Sequence, residues 1–309
     1  MPKQAKAFSP AGVSSFFEIC DHTKNGIEIK DPELIGARGG GFGLSKGVFT
    51  TVTISEDKKS KIIIYINGKI EPQAKTSMMV AKEFLIRSKQ TCKITIKHKI
   101  EVPIGAGFGT SAGGALTTGL ACAKVFNLAL TQNEIGKIAH VAEIKCKTGL
   151  GTVGPLLQGG FALTIEPGSP GISVIDQIPI TKDHVIVSGV INSISTEKIL
   201  RSEKKRKRVN KWGKTTLNQI LNNPTPKNFM NCSLDFAKKT GFLTPKIEKL
   251  AKYAKKAGGI GSAQNMVGEA IHTLTHQENA NNIEKIFKKI LPKEKIFTSK
   301  IDFQGARIL

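Results

Sequence analysis

Cysteine is sparse and poorly placed for a framework: Cys20, Cys92, Cys122, Cys146 and Cys232 are scattered, with no C-x-x-C pair among them. An odd, dispersed set excludes a disulfide scaffold and a zinc knuckle, and it fits reduced, mostly buried thiols in a cytoplasmic protein. Long apolar runs are missing too. The longest stretches, such as Ile62–Ile66, are far too short to span a bilayer, so no membrane partner is expected. No basic segment followed by an apolar one opens the chain, which predicts no export signal. Aromatic residues make up only 6% and do not interleave with the basic segments, which argues against single-strand nucleic-acid stacking. Acidic residues are the last shortage: 24 Asp and Glu stand against 46 Lys and Arg, a formal charge of +22. That excess favours phosphate-bearing partners in general, nucleic acid or polyanionic metabolite, without choosing among them.

What remains is a globular composition, 39% hydrophobic and 23% charged, in 309 residues, long enough for two packed domains. The first fifty residues are rich in glycine, with few patterns of helical length. Strands are predicted at Gly47–Ile54 and Lys61–Ile66, a helix over Ser77–Ser88, and a strand over Lys93–Val102, where isoleucines alternate with lysines. Ala115–Phe126 is apolar or small on nearly every face, the mark of a buried helix. Thr131 opens another helix through a Thr-x-x-Glu capping box with Glu134; its buried stripe is Ile135, Ile138, Ala139 and Ala142, and Gly149 is its predicted stop.

A strand at Phe161–Ile165 leads to Glu-Pro-Gly-Ser-Pro-Gly171, the best boundary candidate, dividing the chain into 1–167 and 168–309. Beyond it come a strand at His184–Ile191, a basic helical segment at Arg201–Lys214, and a helix opened by Thr244 and Pro245 that stops at Gly258-Gly259. A last helix near Glu278–Ile290 and a closing strand complete the pattern, with no internal repeat. The basic segment reads either as a solvated helix face or as a rim that attracts an anionic ligand.

The densest signal is Pro103-Ile-Gly-Ala-Gly-Phe-Gly-Thr-Ser-Ala-Gly-Gly114, lying between a predicted strand and a predicted helix. Strand, glycine loop and helix together form a phosphate site: glycines allow close backbone approach, and free N–H groups at the helix start face the anion. The spacing is not that of a P-loop, since no lysine follows the last glycine. Nor is it a dinucleotide fingerprint, since no acidic residue lies about 20 residues further on. Glycines that merely pack a helix on a sheet are the plainer alternative. The hydroxyls of Thr110 and Ser111 weigh against it, because such a hydroxyl can hold Mg²⁺ beside phosphates.

Pro103-x-Gly-x-Gly-x-Gly-Thr-Ser-Ala112 resembles the central nucleotide-binding motif of the GHMP kinases. Two further segments agree in order: Ser9-Pro-Ala-Gly-Val-Ser-Ser-Phe-Phe-Glu-Ile19 resembles the family's amino-terminal motif, and Gly258-Gly-Ile-Gly-Ser-Ala-Gln-Asn-Met-Val-Gly268 its carboxy-terminal glycine loop. Gly36-Ala-Arg-Gly-Gly-Gly41, His140 with Glu143, Thr148-Gly-Leu-Gly151 and the closing Ile301-Asp-Phe-Gln-Gly-Ala-Arg-Ile-Leu309 are similar to one branch, the archaeal pantoate kinases.

The resemblance implies an α+β, two-domain fold, with a ribosomal protein S5 domain 2-like amino-terminal domain and a ferredoxin-like carboxy-terminal one. It implies ATP and Mg²⁺ as cofactors, a small hydroxy acid such as pantoate as acceptor, and it allows a homodimer. By the same resemblance Pro103, Gly105, Gly107, Gly109, Thr110, Ser111 and Ala112 bind ATP. Ser111 and Glu143 hold Mg²⁺, and Arg38 and His140 bind the substrate. From the residues alone, Glu143 also reads as a surface pair with Lys147, and His140 as a satisfied buried imidazole. Three positions depart from the branch. Thr152 stands where its catalytic aspartate is expected, Ala37 replaces a serine, and Thr164 an arginine. These leave open a kinase for another hydroxy acid or an isoprenoid alcohol, and a non-catalytic descendant binding nucleotide or nucleic acid.

Overall fold

The computed structural model describes residues 3–23, 25–192 and 203–309. Two strands of unusual length open the chain, β1 (Lys3–Cys20) and β2 (Gly36–Glu56), paired antiparallel from Lys3 opposite Ile54 to Cys20 opposite Gly36. Only the end of β2 was legible as Gly47–Ile54. The glycines that hid the rest are a packing requirement, for a Cβ on Gly41 would sit 1.8 Å from the Val13 carbonyl oxygen. Register shifts at Pro10/Ala11 and Ser14/Phe16 accompany this close approach.

Next come β3 (Lys61–Ile66), β4 (Lys69–Ile70), α1 (Lys75–Ser88), β5 (Cys92–Ile100), α2 (Thr110–Val125) and α3 (Gln132–Cys146). A short α4 (Val153–Gln158) and the strands β6 (Phe161–Glu166) and β7 (Val174–Gln177) follow. The second half comprises β8 (His184–Asn192), α5 (Glu203–Asn222), α6 (Pro226–Thr240), α7 (Pro245–Lys256), β9 (Gly261–Gln264) and β10 (Glu269–His276). The chain closes with α8 (Gln277–Phe287), β11 (Ile296–Lys300) and β12 (Arg307–Ile308).

The first sheet runs β12-β1-β2-β5-β3-β4, and β6 and β7 add to the glycine-rich end of β2. One face is covered by α1, α2 and α3. Phe84, Leu116, Leu120, Ile135 and Ala139 pack there against Val52, Ile94 and Ile96. α2 is buried on all sides, as its composition predicted. The capping box forms: Thr131 Oγ1 accepts from Glu134 N at 3.2 Å, and Glu134 Oε2 accepts from Thr131 N at 2.7 Å. α3 ends at Cys146, three residues before the predicted stop at Gly149, with Lys147 in the left-handed conformation at φ 56.

The second sheet runs β11-β8-β10-β9, antiparallel throughout. This is the ferredoxin-like order, and among the described residues the helices α5 to α7 lie in its first crossover. Because β7 adds to the first sheet and β12 returns to its far edge, the passage to the second sheet comes after residue 177, not at the expected 167. The basic helix begins at Glu203 among described residues; Arg201 and Ser202 lie outside them. It is not a wholly solvated face. Val209, Leu217 and Ile220 are buried, and Asn210 bonds both the N–H and the carbonyl of Ile19 on β1.

The two layers share a phenylalanine cluster. Phe42 and Phe161 stack at 4.2 Å, Phe229 of α6 meets Phe161 edge-on at 4.6 Å, and Phe16 of β1 meets Phe229 at 5.7 Å. Phe229 is 0% exposed. Phe229→Ala is therefore expected to cost about 3–5 kcal/mol in chemical denaturation. A loss below about 1 kcal/mol, the cost of a tolerated core swap, would show that the layers do not depend on this cluster.

Candidate functional site

Between the layers lies a cleft of ≈ 240 Å³, walled by the glycine loop, the turn after α3, and the glycine-rich stretches of β1 and β2. Gly105, Gly107 and Gly109 all take positive φ, at 77°, 79° and 61°, which only glycine adopts without strain. α2 starts at Thr110, five residues before the predicted Ala115, so the end of the glycine motif is the helix's first turn. Gly109 is its N-cap, and no side chain caps the first N–H groups. The helix start therefore keeps unspent donors and the positive end of its dipole toward the cleft wall formed by Thr110, Ser111 and Ala112. Pro103 does not line the cleft; it lies between the end of β5 and the loop.

Ser111 and Glu143 come together as the resemblance implied. Ser111 Oγ donates to Glu143 Oε1 at 2.6 Å, and Thr148 Oγ1 donates to the same oxygen at 2.6 Å. Thr76, from the first turn of α1, bridges the two hydroxyls at 3.1 and 3.0 Å. The other carboxylate oxygen lies against Gly149, where a Cβ would approach Oε2 to 2.1 Å. Glu143 is 3% exposed, so the alternative of a surface pair with Lys147 fails. Burial pushes its pKa up, and the hydrogen bonds from Ser111 and Thr148 oppose that rise. A carboxylate flanked by hydroxyl oxygens suits a small hard cation, whose charge would relieve the burial cost.

The three departures all reach the cleft. Ala37 and Thr164 stand on β2 and β6, and Thr152 stands at the start of α4. Arg38 lines it as well, but its guanidinium is already engaged: Nε and Nη2 lie 3.0 and 2.7 Å from Glu18 Oε2. Glu18 lies within the quoted amino-terminal motif, yet its alternation gave no sign of this partnership. His140, expected from the resemblance to bind the substrate, stands apart from the cleft lining. It is 1% exposed and places Nε2 2.9 Å from the Ile35 carbonyl oxygen. Burial lowers its pKa, so the neutral ring holds the main chain that leads into Ala37 and Arg38. Thr76 was missed altogether, because a single threonine in a helix's first turn carries no motif.

The three quoted glycine motifs converge here. Gly12 N–H donates to Phe108 O at 3.0 Å, and Met266 N–H to Ser14 O at 2.8 Å. A layered α+β fold with a positive-φ glycine loop at a helix start, beside a buried carboxylate, fits the class of small-molecule phosphotransferases. The comparisons carry this further. Residues 75–160 match the GHMP kinases N terminal domain. The chain is 30% identical over 286 residues to the pantoate kinase of Thermococcus kodakarensis, covering 91% of each chain. It is also 30% identical over 282 residues to the pantoate kinase of Methanocaldococcus jannaschii, covering 91% of this chain and 96% of that one. A solved structure described as a phosphotransferase related to the CoA biosynthesis pathway superposes with a TM-score of 0.89 at 27% identity, covering 99% and 98% of the two chains. The chain belongs to the GHMP kinases.

Burial raises the folded-state pKa of Glu143 above its unfolded value, and the hydrogen bonds from Ser111 and Thr148 offset part of that rise. Its contribution to stability is full at low pH and is lost as pH rises through the raised value. Thermal melting of metal-free protein should show this fall across the range just above ordinary carboxylate titration, and Glu143→Gln should remove it. Parallel pH curves for the two proteins would contradict the assignment.

Proposed function

We propose that this chain is a pantoate kinase: it transfers the γ-phosphoryl group of ATP to the primary hydroxyl of pantoate, giving 4-phosphopantoate and ADP, a step of coenzyme A synthesis. The identity to two pantoate kinases across nine-tenths of the chain carries the reading. The cleft supports it, since its glycine loop suits phosphates and its far wall holds Arg38.

The N–H groups at the start of α2 and the loop glycines would bind the phosphates. Ser111 and Glu143 would hold Mg²⁺, which when bound neutralises charge on the phosphate oxygens. Arg38 would meet the substrate carboxylate with the donors that Glu18 leaves over, and Glu18 would fix its direction. Thr152 would lie beside the transfer without taking a proton, because a hydroxyl is not basic at neutral pH. Among the described residues, Glu143 is the only carboxylate lining the cleft. The reaction would thus rest on positioning and charge neutralisation, which suffice for much of phosphoryl transfer through a loose transition state. Absence of a general base is then expected to cost part of the typical 10²–10⁴-fold contribution.

One observation favours a second acceptor. Ala37, Thr152 and Thr164 all face the cleft, so the wall that reads the substrate differs from the branch at each point. A different hydroxy acid is the alternative there. The charge of +22 does not favour a nucleic-acid role for this cleft, because among the described residues Arg38 is the only cation in its lining.

ADP release from Mg·ATP, with pantoate and with a panel of other hydroxy acids, decides between these. Turnover on pantoate is expected; turnover on another acid alone would retire pantoate and keep the kinase. Ser111→Ala and Glu143→Gln are each expected to lower kcat about 10²-fold or more. Full activity in both would overturn the roles given to them.

A further inference from the structure

Behind the glycine loop runs a buried chain of side chains that the proposed reaction does not use. Ser15 of β1, His272 of β10 and Asn265 between β9 and β10 are each 0% exposed, and none lines the cleft. Ser15 Oγ lies 2.8 Å from His272 Nε2, and His272 Nδ1 lies 2.8 Å from Asn265 Oδ1. Asn265 Nδ2 then donates to Ala106 O at 3.3 Å and to Gly107 O at 3.4 Å.

The chemistry of each atom sets the direction of the whole chain. The Asn265 nitrogen serves two carbonyls, so its oxygen is the acceptor and Nδ1 of His272 carries the proton. Nε2 is then a lone pair, to which the Ser15 hydroxyl donates. Burial keeps the ring neutral, its pKa pushed down to about 3, so no second proton disturbs the order near neutral pH. Turning the Asn265 amide over would set its oxygen against two carbonyl oxygens and its NH₂ against an N–H.

A trans peptide points its C=O and N–H in opposite directions. With the Ala106 and Gly107 carbonyls held by Asn265, the N–H groups of Gly107 and Phe108 point away from it. Among the described residues neither has a hydrogen-bond partner in the chain. The seat is tight as well: a Cβ on Gly107 would lie 3.0 Å from Asn265 Cβ, and one on Gly268 2.5 Å from Ala106 O.

We propose that Asn265 is a positioning residue for nucleotide binding, aiming two loop N–H groups at the phosphates, with His272 and Ser15 locking its amide in the working orientation. The proposal rests on the glycine loop being the nucleotide site. The test titrates a non-hydrolysable ATP analogue with Mg²⁺ into wild type and variants, alongside the KM for pantoate. Asn265→Asp keeps the shape but only accepts; it should weaken analogue binding about tenfold or more and leave the KM for pantoate unchanged. Lowering the pH to protonate the new carboxyl returns a donor and should recover affinity relative to wild type. His272→Gln can accept from Ser15 and donate to Asn265, so it should bind more tightly than His272→Leu. This pair carries the test if Asn265→Asp does not fold. Wild type that binds no analogue would overturn the nucleotide site, and this role with it. Wild type that binds while Asn265→Asp and His272→Leu bind equally well would overturn this role alone. So would a loss of stability with no selective loss of nucleotide affinity.

Discussion

The hydrogen bond from Ser111 to Glu143 is the interaction on which the rest depends. A carboxylate this deeply enclosed is costly unless its oxygens are partnered; its two partners, Ser111 and Thr148, and the Thr76 that links them come from three places in the chain. Ser111 is available because α2 begins at Thr110, which requires three positive-φ glycines immediately before it. Thr148 reaches back because α3 ends in a left-handed Lys147. Thr76 closes the triangle from the first turn of α1. One buried charge therefore sets the relative positions of three helices, and burial leaves that charge seeking a proton or a cation.

Much of this was legible in the sequence, and the losses have physical causes. The glycine loop, the Thr131 capping box and the buried character of α2 were all written in local pattern. β1 was not, because Ser9–Ser15 has little intrinsic strand preference and is held extended by its pairing with β2. The start of α2 was misplaced because Gly113 and Gly114 read as loop. They serve packing instead: a Cβ there would meet Val48 at 3.1 Å and Ser77 at 3.2 Å. Gly149 was read as a helix stop, but the space its missing side chain leaves belongs to the carboxylate of Glu143. His140 and Glu143 were grouped by the resemblance, yet the imidazole turns to the Ile35 carbonyl and only the carboxylate joins the cluster.

Among the described residues, little of the chain's positive charge reaches the cleft: Arg38 is the one cation in its lining, and Glu18 shares it. On the proposed reading, selection of an acceptor would fall to shape and to this guanidinium, with Ala37, Thr152 and Thr164 contributing to the shape. The nucleotide side is built differently. Backbone donors supply its polarity, and the amino-terminal and carboxy-terminal glycine motifs hold that backbone from behind. This division explains why the nucleotide half of the site reads clearly as GHMP kinase while the acceptor half departs from its branch.

The most direct test is a crystal structure of the protein with a non-hydrolysable ATP analogue, Mg²⁺ and pantoate. The phosphates should lie at the start of α2 with the metal on Ser111 and Glu143, and the pantoate carboxylate should meet Arg38 with its primary hydroxyl facing the terminal phosphate. Phosphates bound elsewhere, or a metal that leaves Glu143 untouched, would contradict the kinase site.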